Sequence, residues 1–293
     1  MLQSALMNYF SYYSSILFNR STASWSRSHR IIIVYIDLQE IIAFSAPMEN
    51  KTINIAMWSG PRNLSTALMR SFAQRKDCQV WDEPFYANYL VASGLEHPMR
   101  DEIIADGITN SQSVIEACID KPLPPKTIFY QKHMTQHMGP NIDREWMGQM
   151  TNAFLIRSPE RVLASYAKKR QDVVAEDLGY GRQLELFHLV SDLTGEVPIV
   201  VDSTDIRKDP RTMLMTLCNR LGLEFDPAML SWQSGPSDDD GIWGKHWYDN
   251  IWKSTGFAAP DKDPKPLPDH LQKLCDEILP DYLLVKQYKI GAE

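Results

Sequence analysis

Ile53-Asn54-Ile55-Ala56-Met57-Trp58-Ser59-Gly60-Pro61-Arg62-Asn63-Leu64-Ser65-Thr66 is the stretch that decides the fold. A short apolar run meets a Ser-Gly-Pro turn, after which Leu64, Leu68, Met69 and Phe72 recur at helical spacing. The pattern predicts a strand over 53–58, a turn, and a helix opening near 63–65. Backbone amides and the dipole at a helix N-terminus form an anion site. A guanidinium at Arg62, able to make paired hydrogen bonds, and the polar side chains of Asn63, Ser65 and Thr66 would complete a phosphate cradle. The plainer alternative is a capped helix with Arg62 in solvent. A Walker A loop needs GxxxxGK[ST], and neither the second glycine nor the Lys-Ser/Thr pair is present, which argues against ATP or GTP with magnesium.

The same strand-then-polar-cluster unit recurs outward from this stretch. An apolar run at 127–131 is followed by Lys132-His133, Phe154-Leu155-Ile156 by Arg157, and Ile199-Val200-Val201 by Asp202. Ser158-Pro159-Glu160 reads as a helix start, with an N-cap, a proline at the first position and an acid in the first turn. Further helices are expected at 210–221, stopped by Gly222, and at about 269–279, after a proline-rich stretch over 260–268. Short apolar strands alternating with helices predict an α/β three-layer sandwich around a central, mainly parallel sheet. In such sheets ligands bind beyond the carboxyl ends of the strands, where these polar clusters fall.

The chain has 293 residues, with 30 basic and 37 acidic side chains and a formal net charge of −7. That balance disfavours a general nucleic-acid binder, although cations can still gather in one cleft. The apolar run over 31–44 is too short for a membrane span and is interrupted by Asp37 and Glu40. Cys78, Cys118, Cys218 and Cys275 lie far apart without zinc-ligand spacing, so free thiols in a reducing, cytoplasmic setting are expected and a metal site is not. The first thirty residues hold eight serines, three arginines and no acid. Residues 1–47 therefore read either as a mitochondrial-type leader or as an extension before a true start at Met48. The remaining 48–293 suits one α/β domain.

Two segments together carry a family resemblance. Arg157 at a strand end and Ser165 eight residues later resemble the 3′-phosphate motif of the PAPS-dependent sulfotransferases. Pro61-Arg62-Asn63-Leu64-Ser65-Thr66 resembles that family's 5′-phosphosulfate loop. The segments 221–230 and 253–257 read like the family's C-terminal half. The resemblance implies a P-loop-nucleotide-hydrolase-like fold, PAPS as donor, no metal, and a small-molecule acceptor. It also implies that Arg62, Ser65 and Thr66 hold the 5′-phosphosulfate and Arg157 and Ser165 the 3′-phosphate. The chain departs from the pattern at Leu64, where the family usually has glycine, at Asn63, where it has serine, and at Ala67, where some members stack a tryptophan on adenine. The adenine platform stays unassigned, with Trp58 or a C-terminal aromatic as candidates.

Sulfuryl transfer requires a group to take the acceptor proton and positive charge for the departing oxygen. Glu83, in Trp81-Asp82-Glu83-Pro84-Phe85-Tyr86, resembles the Glu-Pro segment of carbohydrate, tyrosyl-protein and lipid sulfotransferases and is the preferred base. His133 competes, through a likeness to the Lys-x-His of cytosolic members, with Lys132 as a second cation. Adjacent residues on an extended chain point to opposite faces, so Lys132 and His133 cannot both enter one cleft unless the chain turns. His137, four residues on, makes only a weak metal pair with His133. Trp243, Trp247, Tyr248 and Trp252 read as core by spacing, or as a wall over the site. Three alternatives remain: a silent nucleotide-binding module, a chain associated with branched-chain aminotransferases, and a nucleotide kinase. No lysine stands in a recognisable Schiff-base context, and no magnesium carboxylate is evident.

Overall fold

The computed structural model describes residues 52–120, 122–166, 173–260 and 263–291, so the expected leader over 1–47 lies outside the described residues. Five parallel strands form one sheet: β1 (Ile53–Ser59), β2 (Cys78–Asp82), β3 (Ile128–Met134), β4 (Thr151–Ile156) and β5 (Ile199–Asp202). Their order is β2-β3-β1-β4-β5. β1 is central, hydrogen-bonded to β3 and to β4, and is buried over its last five residues. That is why it reads as an unbroken apolar run, since a strand covered on both faces needs apolar side chains on both.

The alternation along β1 separates two cores. Ile55 and Met57 pack with Leu68, Met69 and Phe72 of α1 (Ser65–Ala73), whereas Ala56 and Trp58 pack with Val162, Leu163, Leu186 and Ile278 on the opposite face. The sandwich therefore has three layers. α2 (Tyr86–Ser93), α3 (Arg100–Asp106) and α4 (Ser111–Ile119) lie in the long connection from β2 to β3. α5 (Pro159–Tyr166) follows β4, opening on Pro159 as expected. α6 (Ala175–Leu178) and α7 (Tyr180–Thr194) lead to β5. The Asp202 carboxylate then accepts from Thr204 N at 2.7 Å, capping α8 (Ser203–Lys208). α9 (Pro210–Arg220) follows, with α10 (Gly244–Trp247), α11 (Asp249–Trp252) and α12 (Asp269–Lys286) closing the chain.

Two expected boundaries move. α12 continues through Pro280 instead of ending at 279. Proline breaks one backbone hydrogen bond, but Leu271, Cys275, Ile278, Tyr282 and Val285 bury a continuous stripe on both sides of it, and packing outweighs that loss. β3 runs on through Lys132 and His133 to Met134, paired with β1 along its whole length. All four cysteines are free and buried. No helix among the described residues is long and apolar enough to cross a membrane.

Candidate active site

The strand order determines which side chains meet at the carboxyl edge of the sheet. From one side to the other, β2 is followed by Glu83, β3 carries Lys132 near its end, β1 leads into Arg62, β4 into Arg157, and β5 into α8 with Arg207. All five line one cleft of about 490 Å³, together with Ser165. The cleft is thus electrically polarised: the Glu83 carboxylate stands at the β2 end and arginines over β1, β4 and β5.

At the basic end the loop backbone is unusual. Arg62 and Leu64 both adopt the left-handed conformation, with φ of 63° and 75°. Leu64 thus holds a conformation that glycine adopts more readily. It is the N-cap of α1, and its side chain makes no capping hydrogen bond, which leaves the first amides of the helix open to an anion. Asn63 is 1% exposed and donates to Leu155 O at 3.3 Å, so the loop is tied down to β4. Its Oδ1 is buried without a partner. Gly60 is required by contact as well: a Cβ there would lie 2.4 Å from the carbonyl oxygen of Leu178.

The two sequence segments hold each other. Arg157 Nη1 donates to Arg62 O at 2.6 Å, and Arg62 Nε donates to Ser165 Oγ at 3.2 Å. Tyr180 OH donates to Arg157 O at 2.8 Å, which orients the end of β4. Burial lowers the Arg62 pKa, with Tyr166 opposing, but a guanidinium stays charged at any working pH. Ser65 and Thr66 line the same cleft.

At the other end, the β2–β3 register sets Asp82 opposite Lys132. Lys132 Nζ donates to Asp82 Oδ1 at 2.8 Å, Glu83 Oε1 at 2.6 Å and Tyr248 OH at 2.7 Å. An ammonium has three protons, so all are engaged within the protein. Tyr248 OH donates to Asp82 Oδ2 at 2.6 Å and accepts from Trp243 Nε1 at 3.1 Å. Gly241 N adds a further bond to Asp82 Oδ2 at 3.1 Å. Burial would lower the Lys132 pKa, but Asp82 and Glu83 reverse the effect and hold it well above the usual lysine range. Burial raises the Glu83 carboxyl and Asp82 adds to the rise, while Lys132 moderates it. Glu83 itself sits at φ 44°, a left-handed kink that swings its carboxylate off β2 into the cleft.

Lys132 and His133 part company as strand alternation requires. Lys132 lines the cleft, whereas His133 is 1% exposed, stacked on Trp58 with ring centres 4.4 Å apart, and pairs with Gln131 Oε1 at 3.1 Å. Burial lowers its pKa to about 3. Trp58 is likewise fully buried, donating to Asn152 Oδ1 at 2.8 Å, so it presents no face for an adenine ring. His137 does line the cleft: its ring lies between Tyr86 and Tyr89, each 4.7 Å away, with Nε2 3.9 Å from Glu83 Oε2.

The aromatic segment serves as both core and wall. Trp243 and Tyr248 are buried against Tyr86 and Leu90, while Trp247 and Tyr248 also reach the cleft. The sequence assigns no role to Asp82 or Arg207, and it reads Tyr248 only as core or wall. The alternation of β2 and β3 could have suggested the Asp82–Lys132 pair, but nothing local links Tyr248 to it.

Residues 53–288 match a family model described as a sulfotransferase domain. Two Arabidopsis thaliana proteins, branched-chain-amino-acid aminotransferase-like proteins 1 and 2, are 37% and 36% identical over 236 and 234 residues. These alignments cover 80% and 79% of this chain but only 42% and 41% of the two relatives, so the chain spans about two-fifths of their length. A solved sulfotransferase from Alicyclobacillus acidocaldarius is 12% identical with a TM-score of 0.48, covering 80% of this chain and 94% of that one.

Proposed function

The chain belongs to the sulfotransferase-domain family, and from that premise we propose that residues 48–293 transfer a sulfuryl group from PAPS to a hydroxyl or amine of a small acceptor. The observation that carries this reading is the polarity of the cleft, with arginines over β1 and β4 and a raised carboxyl over β2. A polyanionic donor belongs at the first end and a proton acceptor at the second.

PAPS supplies a sulfuryl group already activated on a phosphate leaving group. Arg62, Ser65, Thr66 and the uncapped amides of α1 would hold its 5′ end, and Arg157 and Ser165 its 3′-phosphate. Asn63 fixes the loop from below through Leu155. Glu83 takes the proton from the acceptor; its elevated pKa brings it closer to the working pH, as efficient base catalysis needs. Lys132 serves this carboxylate as a fixed counter-charge, since donation to a departing oxygen would require one of three short hydrogen bonds to break. That work falls to Arg62 and the helix amides. His133 is too deeply buried, and too weakly basic, to act as the base.

An aminotransferase role, which the names of the relatives suggest for those longer proteins, finds poor support in Lys132. A Schiff base needs a neutral amine, and this one is held protonated between two carboxylates. Calorimetry with 3′,5′-ADP tests the nucleotide reading: micromolar binding by the wild type, weakened by Arg157→Ala, is expected. No binding would overturn it. Turnover of labelled PAPS against an acceptor library then separates an enzyme from a silent module.

A further inference from the structure

We propose that the acceptor is a ring-bearing molecule without negative charge, so that carboxylate- or phosphate-bearing acceptors are excluded. The inference rests on the sulfuryl-transfer reading and adds to it the class of molecule that fits the β2 end of the cleft.

Charge is the first argument. The groups lining that end are Glu83 just after β2, His97 between α2 and α3, Lys132 from β3, His137 beyond β3 and Tyr248 from the 241–252 segment, with Asp82 buried behind Lys132. Two carboxylates against one ammonium leave an acidic excess whenever Glu83 is ionised to act as base. Lys132 cannot answer an acceptor's anion, because its three protons go to Asp82, Glu83 and Tyr248. Burial, together with nearby His97 and Lys132, pushes the His137 pKa well below the usual range and keeps it neutral. The arginines of the cleft belong to the β1, β4 and β5 end. An anionic acceptor would therefore place its charge beside Glu83 in a partly dry site where, among the described residues, no lysine or arginine is free to meet it, and like charges are strongly disfavoured there.

The second argument is shape. Tyr86, His97, His137, Trp247 and Tyr248 all line the cleft, and contacts tie the rings to this end: His137 lies beside Glu83, Tyr248 bonds Lys132, and Tyr86 meets both His137 and His97. The rings are packed: Tyr86 stacks on His137 at 4.7 Å and meets Trp243 edge-on at 5.1 Å. Such a wall favours a flat partner through offset stacking and edge contacts. A negative local field over aromatic faces also accommodates a cation.

Three phenols of matched size test the idea: 4-ethylphenol, tyramine and 4-hydroxyphenylacetate. Each is titrated into the wild-type protein, free and saturated with 3′,5′-ADP, with ligand-observed NMR as readout. 4-Ethylphenol and tyramine are expected to bind at least tenfold more tightly than 4-hydroxyphenylacetate in both states. Asn250→Lys, at an exposed position on the cleft wall, should close that gap at least threefold while leaving 3′,5′-ADP affinity unchanged. Equal or tighter binding of the carboxylate to the wild type would overturn the proposal, and so would failure of all three phenols to bind. Loss of 3′,5′-ADP binding alone would count against the donor assignment, while the phenol series on the free protein would still judge the acceptor wall.

Discussion

The two ends of the cleft are built on opposite principles. The basic end is made from two short segments, 60–66 and 157–165, which present backbone amides and arginines held by the Ser165 hydroxyl and by backbone contacts. The acidic end joins side chains from β2, β3 and the distant 241–252 segment into one buried network. The first can lose one side chain and keep its shape, because left-handed Arg62 and Leu64, Gly60 and the anchored Asn63 hold the loop. The second has no such reserve. Removing its one ammonium strands two carboxylates in a low-dielectric setting, where an unpaired group costs several kcal/mol.

The largest expected effect tests which end does the chemistry. Glu83→Gln should reduce sulfuryl transfer by ~10²–10⁴-fold, the range for loss of a general base, while 3′,5′-ADP affinity stays within about twofold. In the wild type, the raised Glu83 pKa means that rate declines with falling pH from above the ordinary glutamate value, as the carboxylate gains its proton. A rate profile following unperturbed glutamate, or an active Gln variant, would remove Glu83 from its role.

Lys132→Met comes next and probes the fragility of the acidic end. It leaves Asp82 and Glu83 buried without their cation, and a loss of about 3–5 kcal/mol in stability is expected from denaturant unfolding. Arg157→Ala, at the robust end, should leave stability nearly unchanged. Its cost appears instead in affinity for 3′,5′-ADP, weaker by about 10–100-fold, as for loss of a charged hydrogen-bond partner worth ~1.5–3 kcal/mol. Affinity for 5′-AMP, lacking the 3′-phosphate, should move much less. If both nucleotides weaken equally, Arg157 does not read the 3′-phosphate.

This difference in construction also explains how much could be read from the chain. Arg62 and Ser65, or Arg157 and Ser165, act within one turn or one strand–helix junction, so their spacing is visible in the sequence and the α/β order follows from the same runs. The Asp82–Lys132–Tyr248 contacts depend on strand register and on the return of the chain 116 residues after Lys132. No local pattern encodes that return. Strand alternation does separate Lys132 from His133, but only once β3 is known to extend to Met134. Pro280 misled in the opposite direction, because a local breaker was overruled by packing that only the whole fold supplies.

His133 gives a smaller effect, outside both ends of the cleft. Its folded-state pKa of about 3 lies below the ordinary value near 6.5, so its contribution to stability is fully present above about pH 6.5. Between there and about pH 3 the unfolded chain takes up a proton that the folded chain refuses. Stability should fall by up to about 1.4 kcal/mol per pH unit on this account. His133→Gln, which retains a polar side chain beside Gln131, should flatten the slope between pH 6 and 5 without affecting 3′,5′-ADP binding. An unchanged slope would mean that His133 charges freely in the folded protein.

The smallest expected change is at Leu64. A left-handed non-glycine residue costs roughly 1–2 kcal/mol, so Leu64→Gly relieves strain. Glycine's extra freedom in the unfolded chain returns about 0.5–1 kcal/mol of that, and the partly buried leucine also gives up its packing against the core on this face of the sheet. The opposing effects nearly cancel, and a net change below about 1 kcal/mol is expected. Because Arg62 and Asn63 are anchored independently of Leu64 through Ser165, Arg157 and Leu155, 3′,5′-ADP affinity should stay within about threefold. A large loss of affinity on Leu64→Gly would show that the leucine side chain, and not the backbone beneath it, shapes the basic end. The contrast between a backbone-built end and a side-chain-built end would then fail at the position where it is most exposed to test.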